Sequence, residues 1–171
     1  RVLFRSTGKY QQYWSTGLGW AGHIGDAGFR GETTWFRAFE RDDVLNLTVE
    51  MDYLLSGSWY FSTAGLYASS GFSNAWNDAG PASFVLSPIQ PMLSKWTAAF
   101  RVQKTVQTLW NIDAVLVYAP ECQYLIGYPS LRYDAGSRMD ISVAGQILAL
   151  LPSTKDKIRS GTVFVSAKWS F

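Results

Sequence analysis

The sequence predicts an all-β chain whose antiparallel strands run up and down and close as a barrel. Three observations carry that expectation. Segments of 9 to 12 residues alternate apolar and polar side chains with period two, and short turn-like connections separate many of them. No stretch approaches the roughly 20 consecutive apolar residues of a membrane helix, the longest runs being AVLVYA and QILALLP.

Residues 1 to 6, RVLFRS, lack an initiator methionine and signal-peptide character. The codons CGT GTG CTC TTC CGA TCT encode them and match a common sequencing-adapter string. The expectation is therefore a non-native leader at 1–6, followed by a single β-barrel domain at 7–171 that is the C-terminal part of a larger barrel. Without Arg1 and Arg5 the formal charge of +2 falls to about zero.

Segments at about 9–22, 31–41 and 59–70 are aromatic and strand-like, with no clear facing. VLNLTVEMDYLL, 44–55, sets Leu45, Leu47, Val49, Met51, Tyr53 and Leu55 against Asn46, Thr48, Glu50 and Asp52. WTAAFRVQKTV, 96–106, sets Trp96, Ala98, Phe100 and Val102 against Thr97, Arg101, Gln103 and Thr105. Lys104 is an exception near a strand end, where its long stem can reach water.

WNIDAVLVY, 110–118, opposes Trp110, Ile112, Ala114, Leu116 and Tyr118 to Asn111 and Asp113. YLIGYPSLRYD, 124–134, alternates Leu125, Gly127, Leu131 and Tyr133 with Ser130, Arg132 and Asp134. Pro129 implies a bulge or bend there. RMDISVAGQILA, 138–149, places Met139, Ile141, Val143 and Ile147 opposite Asp140, Ser142 and Gln146. In the closing GTVFVSAKWSF, Val163, Val165, Ala167, Trp169 and Phe171 share a face, and Lys168 lies on the other. About nine to ten strands are expected.

The connections alternate in length. SGS at 56–58, QTL at 107–109 and DAGS at 134–137 are tight, whereas 73–94 and 151–160 are long. The 73–94 loop carries Pro81, Pro88 and Pro91, and either folds over or into a mouth or stands as a surface loop. A meander with short turns at one end and long loops at the other is the arrangement of bacterial outer-membrane barrels, short turns facing the periplasm, and spans of about 9–11 residues fit a tilted crossing.

A soluble barrel also alternates, with its apolar face turned inward. Here the apolar faces lack charges away from strand ends and are bracketed by aromatics, while the polar faces carry both signs: Glu50, Asp52, Arg101, Asp113, Arg132 and Lys168. That division predicts a transmembrane barrel with those six residues lining its lumen, Arg101, Arg132 and Lys168 being the available partners for Glu50 and Asp52.

VFVSAKWSF, with YPSLRYDAGSRMDISVAGQILAL, resembles the C-terminal strands of Gram-negative outer-membrane barrel proteins of the porin-like type, best over 95–171. The resemblance implies that a last strand ending in an aromatic residue is read by the barrel assembly machinery. Phe171, Trp169, Val165 and Val163 match that pattern, which makes them the expected assembly signal.

Other chemistry is hard to place. The sole cysteine, Cys122, excludes an internal disulfide and a cysteine-rich metal site, and reads as a loop thiol. His23 is the one histidine, a turn residue at the short-turn end, and neither a phosphate-cradling loop nor a serine-centred elbow accompanies it. Scattered Lys and Arg make no basic stripe for nucleic acid. No catalytic, cofactor-binding or metal residues are expected.

The expected function is a porin-like channel in the bacterial outer membrane for passive diffusion of small polar solutes or ions, its partners being the lipid bilayer, those solutes and the assembly machinery. The alternatives are a non-conducting structural or surface-binding barrel, an outer-membrane enzyme whose catalytic residues lie outside this sequence, and a soluble ligand-binding barrel.

Overall fold

A computed structural model describes residues 2–10, 12–38, 42–71, 87–134, 136, 139–150 and 159–169. Ten strands follow in chain order: β1 (Val2–Tyr10), β2 (Tyr13–Ile24), β3 (Ala27–Ala38), β4 (Val44–Leu55), β5 (Trp59–Ala68), β6 (Trp96–Val106), β7 (Trp110–Ala119), β8 (Tyr124–Asp134), β9 (Met139–Leu150) and β10 (Arg159–Trp169). They form one antiparallel up-and-down sheet in the order β1 to β10, with no helix among the described residues. β1 and β10 stand at the two ends of that order, so the sheet is not closed among the described residues.

The aromatic segment expected as one strand at 9–22 is divided. Tyr10 ends β1 and lies opposite Tyr13, the first residue of β2. The intervening glutamines carry no turn signature, so the break could not be read from residue type. Residues 2–6 belong to β1, and the ten strands fall within the expected nine to ten.

The chain forms two compact units. One comprises Arg1–Met51, Ala64–Ala98 and Ala119–Cys122; the other comprises Asp52–Thr63, Ala99–Tyr118 and Gln123–Phe171. In the first unit the register runs Lys9 to Trp14 to Arg37, Thr7 to Thr16 to Trp35, and Leu3 to Trp20 to Gly31 across β1, β2 and β3. One face thus carries Leu3, Trp14, Leu18 and Trp35, all exposed, continued on β4 by Leu45 and Met51. Gly31 lets the Trp20 indole lie flat across the neighbouring strand, since a Cβ there would overlap that ring.

Part of the opposite face of the first unit is covered. Tyr13 and Phe36 meet edge to face at 6.5 Å and pack with Val44, Ala38 and Ile89. At the start of β4, Leu45 is 41% exposed while its neighbours Val44 and Asn46 are buried, so alternation sets burial there.

In the second unit β8, β9 and β10 share one register. Leu131 faces Val143, which faces Val165; Tyr133 faces Ile141, which faces Ala167; Met139 faces Trp169. This apolar face is open, with Val163 and Val165 exposed at 70% and 72% and Ile147 at 54%. The same holds on β6 and β7 for Phe100, Trp110, Ile112, Leu116 and Tyr118. In both units the greasy side of the sheet is the exposed side, the reverse of a sheet that folds by burying its apolar face. Phe4 and Phe164 are exposed apolar residues on the other face.

Pro129 interrupts the β8–β9 ladder but, contrary to one form of the expectation, inserts no bulge, since the register is the same on either side of it. The paired residues step from Gly127–Ile147 to Ser130–Ala144, and Gly145 leaves room for the proline ring, which a Cβ there would meet at 3.2 Å. The connections at 56–58 and 107–109 are tight, as expected, and that at 25–26 is a two-residue loop with Gly25 at φ 62°. The long 151–158 connection lies outside the described residues.

A charge-paired sheet face as the candidate functional site

Three arginine–carboxylate pairs lie on the face opposite the exposed apolar one. In the first unit Arg30 of β3 holds Glu50 of β4 with two bonds, Nε to Oε2 at 2.8 Å and Nη2 to Oε1 at 2.5 Å. In the second, Arg101 of β6 grips Asp113 of β7, Nε to Oδ1 at 2.8 Å and Nη2 to Oδ2 at 3.1 Å, and reaches Gln103 Oε1 at 3.4 Å. Arg132 of β8 donates to Asp140 Oδ2 of β9 at 2.8 Å.

Each pair joins neighbouring strands. Adjacent strands lie about 4.8 Å apart, so a guanidinium reaches a carboxylate one strand away directly or on the diagonal, and the planar fork suits a two-bond contact. Arg132, for instance, stands opposite Ser142 and reaches diagonally to Asp140. Asp140 faces Asp134 on one side and Lys168 on the other, so two carboxylates in register are flanked by Arg132 and Lys168. Asp134 also turns part of its charge to the hairpin, its Oδ1 accepting from Gly136 N at 3.0 Å.

These contacts correct the expected pairing. Glu50 takes Arg30, not Arg101, Arg132 or Lys168, because strand adjacency outranks sequence-level charge matching. Arg30 fell just outside the ambiguous 31–41 segment, and Asp140, recognised on the polar face, lacked a partner until the β8–β9 register fixed one. Arg101, Asp113 and Arg132 are drawn into pairs; Asp52, two residues along β4 from Glu50, and Lys168 make no ion pair with any described residue.

A loop segment covers the same face of the first unit. Asn46 Nδ2 donates to the carbonyls of Pro88 and Ile89 at 2.9 and 3.2 Å, and Ser70 Oγ donates to Ile89 O at 2.9 Å. Those bonds lower the Ile89 side chain onto Tyr13, Phe36 and Val44. At its far end the buried Ser94 hydroxyl donates to Glu121, whose Oε2 also accepts from Trp96 N at 3.2 Å. Of the two dispositions open for the 73–94 loop, its described portion from 87 folds over the sheet face; residues 73–86 lie outside the described residues.

In the second unit a recess of about 390 Å³ opens on the polar side beside the tight turns, lined by Leu54, Leu55, Ser58, Tyr60, Gln103 and Thr105. On the apolar side aromatics cluster near those turns. Trp59 stacks on Phe61 at 5.9 Å, Phe61 meets Phe100 at 6.3 Å, and Trp110 meets Tyr133 at 4.3 Å. Lys104, the exception on this face, places its Nζ 4.3 Å over the Trp59 ring, a cation–π contact that accounts for its tolerance there.

His23 stands in β2 opposite Gly28, one residue short of the hairpin end, rather than in the turn itself. Cys122 lies in the β7–β8 connection, as a loop thiol should, and is buried. Of the expected assembly signal, Val163, Val165 and Trp169 lie exposed on one face of β10, and Phe171 lies outside the described residues. No protein-family model, curated protein or solved structure matches this chain.

Proposed function

We propose that this chain is a bacterial outer-membrane β-barrel of porin-like type that passes small polar solutes or ions. The observation that carries the reading is the inverted sheet: mostly apolar side chains exposed on one face, and paired opposite charges on the other. Exposed apolar area of that extent needs a covering medium, and hydrocarbon is the medium that accepts it without a protein partner. A sheet that crosses lipid must pair all its backbone groups, which an up-and-down meander does on closing.

The pairing pattern favours a conducting lumen. Arginine and carboxylate neutralise each other along the wall, between adjacent strands, and no described pair needs to reach across an interior. The folded 87–94 segment supports a narrowed passage over the first unit's charged face. Val163, Val165, Trp169 and Phe171 serve, in this reading, as the signal for the barrel assembly machinery.

The test is insertion followed by conductance. Refolded into phosphatidylcholine vesicles, the protein should become protected from added protease, and in planar bilayers it should give discrete conductance steps. A protein that stays soluble without detergent, or never inserts, overturns the membrane reading. Insertion without conductance moves the function to a non-conducting structural or surface-binding barrel, a reading favoured by the loop that covers part of the polar face.

A further inference from the structure

We propose that Lys9 and Arg37, on either side of Trp14, form a site for the phosphate group of an anionic membrane lipid. The inference rests on the membrane reading above. The three residues stand in one register row, Lys9 opposite Trp14 and Trp14 opposite Arg37, on the exposed apolar face of the first unit. Their Cα atoms therefore span two interstrand spacings, about 10 Å from Lys9 Cα to Arg37 Cα.

Three observations converge. Each residue lies next to the end of its strand, Lys9 one residue before the end of β1, Trp14 second in β2 and Arg37 one residue before the end of β3. On a lipid-facing surface a cation is costly at mid-depth and nearly free at the interface, so this is the depth at which two cations can persist. The row also carries the exposed Trp14, with Trp35 one row deeper, the residue type that settles at headgroup level.

The charge on this face is one-sided. The residues sharing it on β1, β2 and β3 include Arg5, Lys9 and Arg37 and no Asp or Glu; Glu32 projects to the other face. The acids that follow Arg37 in sequence are Glu40, Asp42 and Asp43 of the β3–β4 connection; Glu40 lies outside the described residues, and Asp43 Oδ1 accepts from Ala38 N at 3.3 Å. Neither Lys9 nor Arg37 forms an ion pair with a described residue. Two exposed cationic residues whose Cα atoms lie about 10 Å apart, with an indole between them, offer charge-assisted donors to phosphate oxygens while the ring lies against the upper acyl chain.

Native mass spectrometry of the protein released from bilayers of phosphatidylcholine with about one-fifth phosphatidylglycerol tests the site. The wild type should carry the phosphatidylglycerol enriched over its bulk share by about five-fold per cation, and the enrichment should fall with added salt. Lys9→Gln with Arg37→Gln should return the bound lipid to the bulk ratio, whereas Lys9→Arg with Arg37→Lys should keep the enrichment. Equal enrichment in the wild type and the double glutamine variant overturns the site. Protease protection in pure phosphatidylcholine separates the two claims: inserted protein without selective lipid sinks this inference alone, and failure of the wild type to insert sinks both. If the glutamine variant does not insert, the salt dependence in wild type decides, and enrichment indifferent to salt counts against the site.

Discussion

Arg5 shows how position on a face sets the worth of a single charge. It stands in mid-strand on the exposed apolar side, opposite Leu18, which faces Thr33, with no carboxylate on that face of β1 to β3. Lys9, four residues on, shares the face at a strand end, and Lys104 shares the corresponding face with an indole beneath it. An arginine facing mid-bilayer costs about 2–4 kcal/mol, and one at the interface nearly nothing. Arg5→Leu should therefore raise the stability of the inserted protein by about 2 kcal/mol, read from the urea midpoint in phosphatidylcholine vesicles. No gain, or a loss, would mean that Arg5 does not face hydrocarbon. The paired arginines are different: Arg101 and Asp113 stay partly exposed, so their contact contributes on the order of 0.5–1 kcal/mol and serves mainly to fix charge on the wall.

At the scale of the element, the tight turns were visible in the sequence, but their quality was not. The β6–β7 turn runs through Gln107 at φ 50° and Thr108 at φ 58°, closed by Leu109 N donating to Val106 O at 3.2 Å. Two successive positive φ values are the geometry Asn-Gly fills without strain, and a β-branched threonine resists it. Replacing Gln107-Thr108 by Asn-Gly should stabilise the hairpin by about 1 kcal/mol and leave conductance unchanged. An unchanged or lower denaturation midpoint would count against strain at this turn. The strand pattern itself was legible because period two leaves little freedom: β4, β6, β7, β8 and β9 lie within one residue of their expected bounds. It failed at Gln11–Gln12, where the hairpin is set by the Tyr10–Tyr13 register and not by turn-forming residues.

For the whole molecule, the decisive feature is which face water or lipid meets. If the 87–94 segment narrows the passage, its polar pins control the current. Asn46→Ala with Ser70→Ala removes the side-chain bonds that hold Pro88 and Ile89 to the sheet. Each such bond contributes about 1 kcal/mol, enough together to let the segment lift. Unit conductance should rise and become noisier in planar bilayers while protease protection persists; conductance identical to wild type would remove the segment from the pathway.

The all-β class, the alternating faces and the polar set that includes Glu50, Asp52, Arg101, Asp113, Arg132 and Lys168 can be read from residue order, because side-chain direction along a strand is fixed by covalent geometry. That Arg30 holds Glu50, that Asp140 holds Arg132, and that Ile89 sits on Tyr13, Phe36 and Val44 emerged with the folded sheet. Those contacts depend on which strands are neighbours and in what register. Both are set by pairings between distant parts of the chain, which a period-two pattern leaves open.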